Sequence, residues 1–185
     1  PKGIETEREF LSIDEVKLLA ETECRYPLVK NAFMFSCFCG LRISDIRKLR
    51  WSQIETYTED GEEKYRLTIR MTKTKKNITY QLSKEAIKWL PEKGDDDVIF
   101  NGLVQHSCLC YTIKDWVEAA GIKKKITFHC ARHTFATMML TLGADIYTTS
   151  KLLGHTDIAT TEIYAKIIDK KKDEAVGLID KFFDK

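Results

Sequence analysis

The chain has no run of 18 apolar residues, so nothing in it reads as a helical membrane span. It shows no basic-then-apolar leader with a small-residue cleavage site, and it begins at Pro1 rather than Met; we expect a piece of a longer protein. A Gly-rich phosphate loop is missing, and no Cys-Cys-His-His spacing of a zinc module occurs. Internal repeats and low-complexity linkers are absent too. Net charge is also scarce. Thirty Lys and Arg against 28 Asp and Glu leave +2 over 185 residues, which by itself argues neither for nor against a polyanionic partner.

What is present is an ordinary globular composition, 43% hydrophobic and 31% charged. The length suits one domain that buries about two-thirds of its unfolded surface. The charges are segregated. Lys73, Lys75 and Lys76 cluster, as do residues 123–125 and 170–172, while acid collects at Glu59, Asp60, Glu62 and Glu63 and at residues 95–97. A polarised surface can hold a polyanion despite a small total, although each lysine run taken alone reads as a solvated loop or helix end. The six cysteines read as small buried side chains of a reducing cytosol, Cys37, Cys39, Cys108 and Cys110 lying within apolar helical patterns.

Ser12 followed by Glu15 forms a capping-box signature and opens a helix. A second helix, apolar on most faces, runs from about Leu28 to Cys39 and stops at Gly40. Ser44 is placed to cap a short turn through Ile46 and Leu49. From Trp51 to Leu82 apolar and polar residues alternate around turns at Glu59-Asp60-Gly61 and Thr74 to Asn77, which predicts two or three antiparallel strands. Helical periodicity resumes at 83–90, 107–120, 128–142, 146–153 and 158–167. A last amphipathic segment carries Ala175, Val176, Leu178, Ile179, Phe182 and Phe183. The expected fold is α+β, mostly α with one small antiparallel sheet: a single unit over 1–185 with a core at 12–167 and a tail at 168–185.

The chemistry concentrates in the last third. His129-Cys130-Ala131-Arg132-His133 is followed by Leu152-Leu153-Gly154-His155 and by Tyr164. On a helix His129, Arg132 and His133 share a face. A fixed guanidinium clamps a phosphate in bidentate fashion, and a nearby phenol is a potential nucleophile toward it. Arg42 emerges just past the buried helix and Gly40; pairing with Asp45 is the plain structural alternative. Lys73 sits at a turn tip, where it could donate a proton to a departing oxygen or be merely solvated. Each of these residues is weak evidence alone.

Taken in order, the strings Cys39-Gly40-Leu41-Arg42-Ile43-Ser44-Asp45-Ile46, Thr72-Lys73-Thr74, His129 to Thr137, Leu152 to His155 and Thr160 to Tyr164 resemble the catalytic domain of the tyrosine recombinases, from about Ser12 to Ile167. The clustered cysteines and the Lys-Thr turn look most like integrases of Bacteroides-type mobile elements. The resemblance implies DNA strand cleavage and rejoining through a 3′-phosphotyrosyl bond. It needs no metal, ATP or other cofactor. Tyr164 is then the attacker, Arg42 and Arg132 hold the non-bridging oxygens, and Lys73 is the general acid. His129 helps to accept the tyrosine proton, His155 bonds the phosphate, Asp45 supports Arg42, and His133 is structural. It further implies double-stranded DNA as partner, a tetramer of protomers on that DNA, a bacterial cytoplasmic and DNA-associated setting without a membrane, and an N-terminal DNA-clamping domain that this sequence does not include. The tail would dock on a neighbouring protomer or fold back on its own. Competing readings are relaxation by a type IB topoisomerase-like enzyme, a non-catalytic DNA-binding module and, more distantly, a zinc-binding structural protein.

Overall fold

The computed structural model describes residues 8–183, with the side chains of Lys171, Leu178 and residues 180–183 outside that description. Helix α1 (Ile13–Glu21) starts at the capping box: Ser12 N–H donates to the Glu15 carboxylate at 2.7 Å and Glu15 N–H donates to Ser12 Oγ at 3.2 Å. Helix α2 (Pro27–Cys39) has Pro in its first turn, where the missing N–H costs nothing, and buries Val29, Ala32, Phe33, Met34, Phe35, Cys37 and Cys39. It is the central element of the core. Helices α5 (His106–Ala119) and α6 (Phe128–Thr141) pack on it, with Phe33 edge-on to Trp116 at 5.7 Å and to Phe128 at 5.8 Å.

Gly40 ends α2 in the left-handed region at φ +73°, and a Cβ there would lie 2.6 Å from Phe135 of α6. Both backbone and space therefore demand glycine, and the chain past α2 runs tightly against α6. Strands β1 (Ile54–Glu59), β2 (Glu62–Arg70) and β3 (Asn77–Leu82) form one antiparallel sheet in that order, with Leu67 opposite both Ile54 and Tyr80. Leu67, Ile69 and Leu82 face the core. Tyr80 Oη donates to the Cys39 carbonyl at 2.6 Å, which pins the sheet to the end of α2. The mostly helical α+β architecture is thus as the sequence predicts.

Helix α3 (Ile43–Ile46) begins after Arg42, not at Ser44; Arg42 is extended and occupies the cap position. Short helices α4 (Lys84–Ile87) and α7 (Ile146–Leu152) follow. The expected core boundary at 167 is not a break. Ala159–Phe183 is one helix, α8, because residues 165–175 contain neither Gly nor Pro and Lys170–Glu174 and Lys172–Asp169 pair along its surface. Val176 and Ile179 of the amphipathic tail are exposed, and the Phe182 and Phe183 side chains lie outside the described residues. Among the cysteines Cys110 is exposed and Cys108 half-buried, whereas Cys24, Cys37, Cys39 and Cys130 are buried thiols as expected.

Candidate active site

The site grows from the chain reversal after α2. Ser36 Oγ donates to the Leu41 carbonyl at 2.7 Å and fixes the exit, so Arg42 leaves the core at a set angle. Its Nη1 is buried with no hydrogen-bond partner. Asp45, three residues on, is fully buried, yet no ion pair joins it to Arg42. Its Oδ1 instead accepts the Thr72 N–H at 2.7 Å, while Oδ2 has no partner. The carboxylate thereby fastens the β2–β3 hairpin, whose tip carries the exposed Lys73. That tip is closed by Met71 N–H donating to the Lys76 carbonyl at 2.8 Å, with Lys75 in the left-handed region at φ +57°.

Helix α6 supplies the next three groups. Arg132 is 2% exposed. Its Nη1 donates to the Gly40 carbonyl at 2.7 Å and its Nη2 to the Leu153 carbonyl at 2.5 Å, tying the ends of α2 and α7 together. A guanidinium has five N–H donors, so roughly three remain for an anion. Burial, then Arg42, lowers its pKa to about 10, which still leaves it charged at neutral pH. His129 sits one turn earlier and is exposed; desolvation and the charges of Arg132, Arg42, Arg8 and Lys73 hold it below the usual imidazole range. That set of charges places Arg42, Arg132, Lys73 and His129 in one electrostatic environment.

His133 lies edge-on to His129 with ring centroids 4.5 Å apart, and its Nδ1 is 2.6 Å from the Tyr164 hydroxyl. Tyr164 is on the second turn of α8 and 2% exposed. Burial raises its phenol above the ordinary value, opposed by Arg8, Arg132 and Arg42. His155 follows Gly154, which turns at φ +62°; its Nδ1 is 2.7 Å from Thr161 Oγ1 and its carbonyl accepts from Lys76 Nζ at 3.1 Å. The structure thus draws Arg42, Lys73, His129, Arg132, His155 and Tyr164 to one place. His133, assigned a structural part from the resemblance, makes the direct contact with the phenol.

Sequence reasoning missed Arg8, and it gave Lys76 and Thr161, though both fall in noted stretches, no part in the site. Arg8 lies upstream of every motif, with its Cζ 5.9 Å from the Tyr164 ring centroid. Among the described residues no group of three or more His, Cys, Asp or Glu is arranged to hold a metal, and no helix is long and apolar enough to cross a membrane.

The imidazoles make native stability depend on acid. Burial, then positive or polar neighbours, lowers His133 from 6.5 to about 3 and His155 to about 4. Between those values and 6.5 the unfolded chain binds more protons than the native one. Stability is therefore full above pH ~6.5 and declines as pH falls toward 4, at up to about 1.4 kcal/mol per pH unit for each imidazole. Urea unfolding at pH 7 and pH 5 should show that loss, smaller in His133→Gln; equal stability at both pH values would contradict buried neutral imidazoles.

Residues 9–171 match the model of the phage integrase family. The chain belongs to that family. Among its fellow members the tyrosine recombinase XerD of Listeria innocua is 32% identical over 184 residues, a match covering 90% of this chain and 61% of the relative. The catalytic domain of bacteriophage HP1 integrase superposes with a TM-score of 0.65 at 30% identity, covering 86% of this chain and 88% of that one. XerA recombinase gives a TM-score of 0.67 at 29% identity, with 84% of this chain and 59% of that one covered. This phage integrase family member spans about 60% of the length of the curated tyrosine recombinases it matches.

Proposed function

We propose that this chain is the catalytic part of a site-specific DNA recombinase or integrase that cleaves and rejoins strands through a 3′-phosphotyrosyl intermediate. The observation that carries the proposal is the buried Tyr164 hydroxyl, hydrogen-bonded to a neutral imidazole and set among Arg42 and Arg132. A phenol needs a proton acceptor or nearby cations to attack at neutral pH, and this one has both. The Tyr164 oxygen attacks phosphorus and its proton leaves toward the His133–His129 pair. The bond from phosphorus to the 5′ oxygen breaks, and Lys73 at the hairpin tip gives that oxygen a proton. Arg42, through its unpartnered Nη1, and Arg132, through its unused donors, meet the charge that spreads over the non-bridging oxygens. His155, half-buried beside them, adds a hydrogen bond to the phosphate. The phosphotyrosyl ester conserves the energy of the broken linkage, so a second strand's 5′ hydroxyl reverses the step without ATP. Double-stranded DNA and further protomers on it are the partners this chemistry requires for exchange.

The test is covalent capture. A pool of nicked suicide duplexes, randomised across the core, is incubated with the protein in chelator and resolved in detergent. A protein–DNA species that survives denaturation is expected, with its DNA 3′ end blocked by protein. Cleavage that needs magnesium, or that leaves a free 3′ hydroxyl and no attached protein, overturns the mechanism. Relaxation of a supercoiled plasmid with no partner site would move the reading toward a topoisomerase-like enzyme.

A further inference from the structure

Three arginines act on the phenol of Tyr164, and only two belong to the recognised motifs. The third comes from the segment that precedes α1. That segment is fixed along α6 by a buried hydrogen bond from Leu11 N–H to Thr134 Oγ1 at 2.9 Å, next in sequence to His133. It is also held from the other side, where Lys124 Nζ donates to the Phe10 carbonyl at 3.0 Å and pairs with Glu15 at 2.6 Å. Three residues before Leu11, the half-buried Arg8 lays its guanidinium over the Tyr164 ring, Cζ 5.9 Å from the centroid. A cation in that position attracts the ring face and any negative charge that builds on the phenol oxygen.

We infer that Arg8 is a positioning residue for the nucleophile: its guanidinium holds the Tyr164 ring against His133 and stabilises the charge that the phenol oxygen acquires as it attacks. The inference rests on the reading of Tyr164 as the nucleophile. The charged and titratable groups facing the phenol are Arg8 from the N-terminal segment, His133 and Arg132 from α6, and Arg42 from the α2–α3 junction. Arg8 also acts on His133, which meets the phenol, and on His129 and His155 behind it. Arg42 and Arg132 are committed to the phosphate in the proposed mechanism. Arg8 sits on the ring itself, which gives it a separate task.

The experiment uses protein in which 3-fluorotyrosine replaces tyrosine, so that the phenols titrate at lower pH while the fold persists. The fluorine signal of Tyr164 is identified by its loss in Tyr164→Phe. Arg8→Ala should shift that signal's titration upward by about one pH unit, and Arg8→Lys should recover at least half of the shift, because it keeps the charge on a similar stem. Thermal unfolding of the variants separates a local effect from a loss of fold. In covalent capture, the pH at which the Arg8→Ala rate rises should move in the same direction. An unchanged Tyr164 titration in Arg8→Ala overturns the inference, even where capture still depends on Tyr164. Capture that persists in Tyr164→Phe removes the nucleophile reading and leaves the titration result standing on its own.

Discussion

Under the proposed mechanism Tyr164→Phe should abolish the covalent protein–DNA species, a loss of roughly 10⁴-fold or more, since no later step proceeds without the attacking oxygen. The fold survives. Tyr164 is packed at 2% exposure by its ring, which phenylalanine keeps, and the hydroxyl that phenylalanine lacks is the one that meets His133 Nδ1. That deletion leaves one imidazole nitrogen short of a partner and costs about 1 kcal/mol of stability. The proposed DNA binding rests on the cations around the site, not on this hydroxyl, and should remain within a few-fold of the parent. Detergent gels on suicide duplexes read the first expectation, calorimetry the second and fluorescence anisotropy the third. A phenylalanine variant that still forms the adduct puts the nucleophile elsewhere, Tyr147 and Tyr111 being the exposed alternatives.

Arg132→Ala should be damaging in two separable ways. The side chain is buried, and its two donated hydrogen bonds satisfy the carbonyls of Gly40 and Leu153. Truncation leaves both acceptors unpaired in a void, at about 3 kcal/mol or more. In the proposed mechanism it also removes a fixed positive charge that meets the transition state, so capture should fall by roughly 10³-fold. Arg132→Lys distinguishes the two effects. A single ammonium can reach one carbonyl and retain the charge, but it does not present a planar fork. Thermal stability should therefore recover more than cleavage does. Parallel melting curves and capture rates check this, and an alanine variant that cleaves within ten-fold of the parent would remove Arg132 from the chemistry.

The legible parts of this protein are those where short-range rules act. The Ser12–Glu15 box, the stop at Gly40 and the alternation that builds β1 to β3 are all local in cause, and each is found at the residues that signal it. The shared face of His129, Arg132 and His133 follows from helical spacing alone. Spacing does not say which of the two imidazoles meets Tyr164, because that depends on how α8 lies across α6. Asp45 shows the same limit. Arg42 lies three positions before it, so a local pair is the obvious reading, yet its hydrogen bond reaches 27 residues away to the hairpin. Arg8 belongs to no motif, and its place at the phenol arises from a contact between Leu11 and Thr134 that spans 123 positions. The fusion of two expected segments into α8 escapes the sequence pattern for the opposite reason: the polar stretch at 169–174 interrupts the apolar periodicity without interrupting the backbone.

That unbroken helix has a mechanical consequence. Tyr164 rides near one end of a rod about 37 Å long, and Val176 lies on it about 18 Å farther along. No glycine or proline falls between Tyr164 and Val176 to act as a joint. A tilt of only a few degrees about the root would sweep the far end through more than an ångström. Conversely, anything that grips the far part of the helix would steer the phenol, so the tolerance of the proposed reaction for misalignment sets how still that part must be kept.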